Sequence, residues 1–294
     1  HYETYQHTFG PGSHLIVAKV WALGALAPLA QMTVKPGFLL AAEEAGELLS
    51  TGVAAWEARR LDGYRFTDNG GRVRAYYAIG CDLEIHGDAG NTLDDGEPWR
   101  PVLPDETPAP AYSPYGHAND GHLLRPATLP PMLDRPVRCG TVRFIERLER
   151  DADQSAVSLA RHSPDRAAAW QALLDGTGEV TVPAGERLRV IVDLGDYDCA
   201  RPVIRARGGA GSSILLRWAE APYDDVETGV KGARDAMEGK FFAGPGDRFL
   251  PGGAETVFET LWWRAGRFLQ WEISTADEAL VIDDFHLRET RYPL

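Results

Sequence analysis

Cysteine is scarce in this chain of 294 residues: Cys81, Cys139 and Cys199 stand far apart, odd in number and without a CxxC partner. That excludes a dense disulfide framework and a sequence-local zinc site. It leaves three small apolar side chains in a reducing setting, cytoplasmic rather than secreted. Cations are outnumbered, 30 Lys and Arg against 43 Asp and Glu, for a formal charge of -13. No basic stripe reverses this locally, so a phosphate backbone is repelled and nucleic acid is not an expected partner. Long apolar runs are missing too. The most hydrophobic stretch, "LIVAKVWALGALAPLAQM" (15–32), is interrupted by Lys19, Gly24 and Pro28, which argues against a membrane span. The GxSxG, P-loop and HExxH patterns are absent. "GGAGSS" (208–213) has no lysine and is flanked by strand patterns, so it reads as a hairpin turn rather than a phosphate cradle. The chain opens on "HYETYQHTF", with no Met and no leader pattern, and reads as entering a folded domain partway.

What is present is a globular composition, 44% hydrophobic and 25% charged, at a length suited to two domains. "HLIVAKVWA" (14–22) is apolar on both parities and predicts a central strand covered on each face. "KPGFLLAAE" (35–43) predicts a turn and strand. "VRAYYAIGCDLEI" (73–85) predicts another, with Tyr77, Ile79, Cys81, Leu83 and Ile85 on one face. The proline- and glycine-rich stretch 86–136 predicts ordered coil laid over a surface. One helix is evident, "SPDRAAAWQALLDGTG" (163–178), with Ser163 to cap it, Pro164 in its first turn and Gly176 to end it. Beyond it, alternation is regular. Leu188, Val190, Val192 and Leu194 share a face opposite Arg189 and Asp193. Leu269, Trp271 and Ile273 share a face opposite Phe268, Gln270 and Glu272. About eight short strands between 179 and 290 are expected. The adjacent Trp262 and Trp263 point oppositely in a regular strand, so one faces the core and only the outer one is available as a platform.

The predicted fold is therefore all-β: two β-sandwich domains of jelly-roll, galactose-binding-like type with one short linking helix. The first, loop-covered and incomplete, is placed at 1–150, a helical linker at 151–177 and the second sandwich at 178–294.

Five stretches in fixed order carry a resemblance. They are "GPGSHLIVAKVWALGALAPLAQ" (10–31), "LLRPATLPPM" (123–132), "VTVPAGERLRVIVDLGDY" (180–197) with "GGAGSSILLRWAEAPYDD" (208–225), "KGARDAMEGKFFAGPGDRFLPGG" (231–253), and "FETLWWRAGRFLQWEIST" (258–275) running on to "TRYPL". Together they resemble the bacterial α-L-rhamnosidases, glycoside hydrolases that carry β-sandwich domains ahead of an (α/α)6 catalytic barrel. The resemblance implies that Tyr292-Pro293 lies at the passage into that barrel, and that the barrel with its catalytic carboxylates belongs to a longer parent chain. No catalytic residue is then expected here. The expected role is a non-catalytic accessory region that supports the barrel and positions carbohydrate. The alternative is an autonomous, lectin-like carbohydrate-binding module, and a self-sufficient enzyme is the least favoured reading.

Candidate residues follow from these roles. Trp56, Trp99, Tyr112 and Tyr115 offer aromatic faces that stack on the C–H surfaces of sugars. Lys231, Arg234 and Asp235, in a charge-dense loop between glycines, and Trp262 with Arg264 are candidates for the interface with the barrel. No cofactor motif is found. "HANDGH" (117–122) pairs His117 and His122 about Asn119 and Asp120, whose oxygens suit calcium; a polar turn between prolines is the plainer reading.

Overall fold

The computed structural model describes residues 2–27, 37–68, 79, 81–87, 98–102, 109–110, 123–149 and 155–293. In chain order the strands are β1 (Glu57–Ala58), β2 (Tyr64–Asp68), β3 (Cys81–His86), β4 (Arg100–Pro101), β5 (Ala109–Pro110), β6 (Leu123–Leu124), β7 (Arg135–Val137), β8 (Thr141–Arg147), β9 (Val180–Val182), β10 (Arg187–Gly208), β11 (Ser213–Ala219), β12 (Gly246–Leu250), β13 (Gly253–Glu259), β14 (Arg264–Ser274) and β15 (Leu280–Glu289). The helices are α1 (Gly46–Leu49) and α2 (Pro164–Leu174). The all-β expectation holds.

The chain divides into two compact units, one of His1–Arg60 with Thr92–Pro131, the other of Leu61–Asn91 with Met132–Leu294. The division does not follow the predicted boundary at 151–177. β3 pairs in parallel with β12, and β2 pairs with β3, so both belong to the second unit's sheet. α2 packs on β8 and β15 inside that unit rather than linking two domains.

The larger unit is a β-sandwich in which β10 serves both layers. Its first half pairs with β8 and β14, its register shifts between Asp193 and Asp198, and its second half pairs with β13 and β15. An interruption of this kind bends a strand enough to turn a corner between sheets. The front layer runs β8, β10, β14, β11, β12, β3, β2; the back layer places β15 between the second half of β10 and the short strands β7 and β9.

Alternation fills the space between the layers. Leu83, Ile85, Val190, Val192, Leu216, Trp218, Leu269, Trp271 and Ile273 are buried from the front, Ile282, Phe285 and Leu287 from the back. Trp271 meets Phe285 edge-on with ring centres 4.8 Å apart, and Phe249 meets Phe258 at 5.5 Å, so aromatic pairs lock one layer to the other. Trp170 of α2 adds an edge contact to Trp271 at 5.5 Å. α2 forms where expected, yet Ser163 makes no side-chain cap; its N–H donates to the Ile145 carbonyl instead. Gly176, at φ +71°, ends the helix as predicted.

The front layer is also covered in part on its outer face. Phe144, Ile191 and Phe268 project outward and are buried under Val157 and Met237, with Phe242 packed against them. Next to this cluster, register aligns Glu146, Arg189, Glu272, Leu215, Arg248, Glu84 and Arg65 in one row across the layer. Opposite charges in neighbouring positions of such a row stabilise the pairing of strands.

Three predictions are corrected here. "GGAGSS" is not a hairpin turn, because β10 and β11 do not pair: β10 leaves the back layer and β11 enters the front layer between β12 and β14. Gly209, at φ +66°, would place a Cβ 2.8 Å from Leu280, so this arch needs glycine for both conformation and space. "HLIVAKVWA" is not a strand. Leu15 is 74% exposed and Val17 54%. A doubly covered strand needs sheets on both sides, and the described residues of the smaller unit form the two-residue ladders β1–β4 and β5–β6 and a single bridge between Tyr2 and Pro126, none of which involves 14–22. Residues 37–42 form no strand either. Cys81, Leu83 and Ile85 do share the buried face predicted for them, whereas Tyr77 lies outside the described residues.

Candidate functional site

The charge-dense loop lies in the excursion between β11 and β12, where its charges are answered within the unit. Lys231 Nζ is 2.7 Å from Glu220 Oε2 and sits 5.2 Å over the Tyr223 ring, and Arg234 also pairs with Glu220. Asp235 Oδ1 lies 2.7 Å from Arg267 Nη2, while its carbonyl accepts from Arg143. Lys240 is buried, bonded to Asp224 and to the carbonyl of Lys231. Met237 drives into the outer cluster as an apolar anchor. The loop is thus fastened to the sheet, with Arg234 and Asp235 still exposed at its surface.

Trp262 and Arg264 are interior. Trp262 is 5% exposed and tilts on Phe66 with ring centres 5.7 Å apart, whereas Trp263 is 46% exposed. Of the adjacent pair, then, Trp263 is the outward one. Arg264 donates through Nε and Nη2 to both oxygens of Asp247, at 2.7 and 2.6 Å, and reaches the carbonyls of Cys81 and Gly246. It ties β14, β12 and β3 together, and such burial leaves no guanidinium face for docking. Sequence reading offered Arg264 as an interface residue because its partner Asp247, 17 positions away, is invisible to local pattern.

The same pairing recurs at every buried carboxylate among the described residues. Glu146 binds Arg189 and Arg161, Glu186 binds Arg166, Asp193 binds Arg143 and Arg267, Asp247 binds Arg264, and Glu289 binds Arg135 and Arg291. Burial pushes the Asp193 carboxyl up, but the Arg267 bond, the Gly195 N–H and two guanidinium charges outweigh it and hold it below the usual range. Hydrogen bonds from Arg135 and Arg291 hold Glu289 low as well. Asp198 goes the other way, raised by burial and then by the charges of Glu289 and Asp196.

The aromatic candidates fall in the smaller unit. Trp56 is partly buried, donating from Nε1 to the Leu49 carbonyl at 3.0 Å and lying edge-on to Phe38. Trp99 is 37% exposed, with the Arg59 guanidinium 5.1 Å over its ring. Tyr112, Tyr115 and the possible calcium turn at 117–122 lie outside the described residues. Among the described residues no three His, Cys, Asp or Glu side chains are grouped to hold a metal. The three cysteines are free; burial pushes the Cys81 and Cys139 thiols up to about 11, which keeps them protonated and poorly nucleophilic.

Two clefts open on the larger unit. One, of about 390 Å³, is lined by His86, Gly87, Gly211, Ser212, Leu250 and Gly252. The other, of about 720 Å³, is lined by Arg147, Leu148, Glu149, Arg187, Ser274 and Thr275. Neither contains Asp198 or Glu289, neighbouring carboxyls whose shifts are opposed.

These features define an all-β sandwich whose interior charges are structural and whose open polar surfaces are shallow. No family model matches the chain, and no curated protein matches it. Among solved structures, a GH78 family rhamnosidase of Bacillus sp. GL1 is similar at 13% identity over 42% of this chain and 13% of that one, with a TM-score of 0.32. A rhamnosidase from Klebsiella oxytoca with rhamnose bound is similar at 12% identity over 55% of this chain and 30% of that one, TM-score 0.35. CBM32-3 from a family 31 glycoside hydrolase of Clostridium perfringens is similar at 6% identity over 52% of this chain and 94% of that one, TM-score 0.26. The chain thus spans less than a third of either rhamnosidase. At these values the assignment of architecture rests on the strand pairing described above. No helix among the described residues is long and apolar enough to cross a membrane.

Proposed function

We propose that this chain is a non-catalytic β-sandwich region of an α-L-rhamnosidase-like glycoside hydrolase, which supports a catalytic barrel of the same parent chain and positions carbohydrate for it. The observation that carries this reading is that every buried carboxylate among the described residues is paired with an arginine. A glycosidase of the usual kind needs one carboxyl kept protonated and another free to act as base or nucleophile across the scissile bond. Here guanidinium partners immobilise the buried carboxylates, and they hold Asp193 and Glu289 below the usual carboxylate range, as suits a scaffold. The resemblance in the "KGARDAMEGK" and "WWRAGRFLQ" stretches supplies the rhamnosidase part of the proposal, and the fastened loop at 231–240 offers the barrel a preorganised surface.

Incubation of the purified chain with an aryl α-L-rhamnoside tests this directly. No turnover above the solvent rate is expected, and turnover that disappears on substitution of a described acid would sink the proposal. A second reading, an autonomous carbohydrate-binding module, is favoured by the ring of Trp99, which is 37% exposed. Saturable calorimetric binding of rhamnose that Trp99→Ala removes would put that reading ahead.

A further inference from the structure

Register places the two clefts on one line. The residues next toward the strand ends from the charged row are His86 beside Leu250, and Ser213 beside Ser274 beside Arg187. The smaller cleft is built on His86 and Leu250, the larger on Ser274 and Arg187. They therefore lie end to end along one rim of the front layer, meeting where Ser212 and Ser213 face Ser274. From β3 through β12, β11, β14 and β10 to β8, five strand spacings of about 4.8 Å make this line roughly 24 Å long.

From this geometry we infer that the rim is a single groove for an extended, uncharged oligosaccharide, with His86 at one end and Arg147 at the other. The inference deepens the carbohydrate-positioning reading above and rests on it. Its lining fits the occupant. Gly87, Gly211, Gly252 and Gly185 bring backbone groups to the surface, and Ser212, Ser274 and Thr275 add hydroxyls. Such groups donate and accept hydrogen bonds with a polyol without demanding charge. At the far end Glu149 offsets one of the two positive charges brought by Arg147 and Arg187, and guanidinium N–H groups also donate to neutral hydroxyls. A peptide strand is a poorer occupant, because the groove crosses turns and strand ends rather than following a free strand edge. No Trp, Tyr or Phe ring lines either cleft. Affinity therefore accumulates from hydrogen bonds along the groove and grows with ligand length, instead of coming from one stacked sugar.

The test is calorimetry on the full chain with L-rhamnose and with a linear rhamnose tetrasaccharide. The tetrasaccharide binds about tenfold more tightly, the gain of one or two net hydrogen bonds. His86→Ala and Arg147→Ala, both at exposed positions, each weaken the tetrasaccharide about three- to tenfold with the melting temperature unchanged. Ser274→Trp, at the midpoint, abolishes its binding; should that variant misfold, the two end variants decide. Equal affinity for the two ligands overturns the groove. So does tetrasaccharide binding that ignores all three substitutions, although the carbohydrate reading then survives and Trp99→Ala tests the other location. Absence of binding by either saccharide overturns both the groove and the carbohydrate-positioning role, while the turnover assay still tests the scaffold.

Discussion

The larger unit and the smaller unit carry similar apolar runs with opposite outcomes. "RVIVDLG" in β10 buries Val190, Ile191 and Val192 completely, whereas "HLIVAKVWA" leaves Leu15, Val17 and Val20 more than half exposed. Both stretches are β-branched, short and bounded by glycine. What separates them is the number of neighbours: β10 pairs with four strands, and residues 14–22 enter no ladder among the described residues. Strand propensity reports fitness for a pleated, half-buried surface, and it is realised only where the rest of the sheet exists.

The contrast can be broken most forcefully at Arg264. Arg264→Ala leaves Asp247 buried without its partner and is expected to cost about 3–5 kcal/mol in urea unfolding. The double substitution of Arg264 and Asp247 by Met and Leu should recover much of that loss, and a single substitution costing under about 1 kcal/mol would contradict an interior role. Trp271→Ala, which empties the contact with Phe285 and Trp170, is expected to cost about 3–5 kcal/mol by the same measurement. Val17→Ala in the smaller unit should stay within about 0.5 kcal/mol, and a loss like that of Trp271 would erase the distinction between the units. Acid provides a subtler probe. The folded carboxyl of Asp193 titrates below its unfolded value, so its stabilisation is complete above about pH 4 and fades as pH falls through the folded value. Asp193→Asn should flatten that part of the stability profile; an unchanged acid slope would show that Arg143 and Arg267 do not hold it. The smallest effect belongs to Trp263→Ala, expected within about 0.5 kcal/mol because the ring is outward, against a loss of several kcal/mol if it were interior like Trp262.

Much of the larger unit was legible in the chain. Period-two alternation at 188–194 and 269–273 identified inner faces, and the Ser163–Gly178 pattern identified α2 nearly to its ends. Alternation did not reveal that Ile191, Phe268 and Gln270, on the supposed solvent face, are buried too, because the cover comes from residues around 157 and 237. The glycine stretch between β10 and β11 was read as a hairpin for a related reason: the residues of an arch and of a hairpin turn are alike, and which strand lies beside β11 is decided elsewhere. The groove was invisible for the same cause, since its lining comes from six separate strand ends and contains no motif.

By itself the chain's residue pattern determined that this protein is built from strands, that helix α2 interrupts them and that Trp271 belongs inside, because each of these depends on side chains within one short segment. Only the tertiary structure decided which strands are neighbours, where the units divide and which charges meet in the interior. Those outcomes depend on contacts between residues as far apart as Asp82 and Arg264, and a cross-strand partner leaves no mark on the local sequence that receives it.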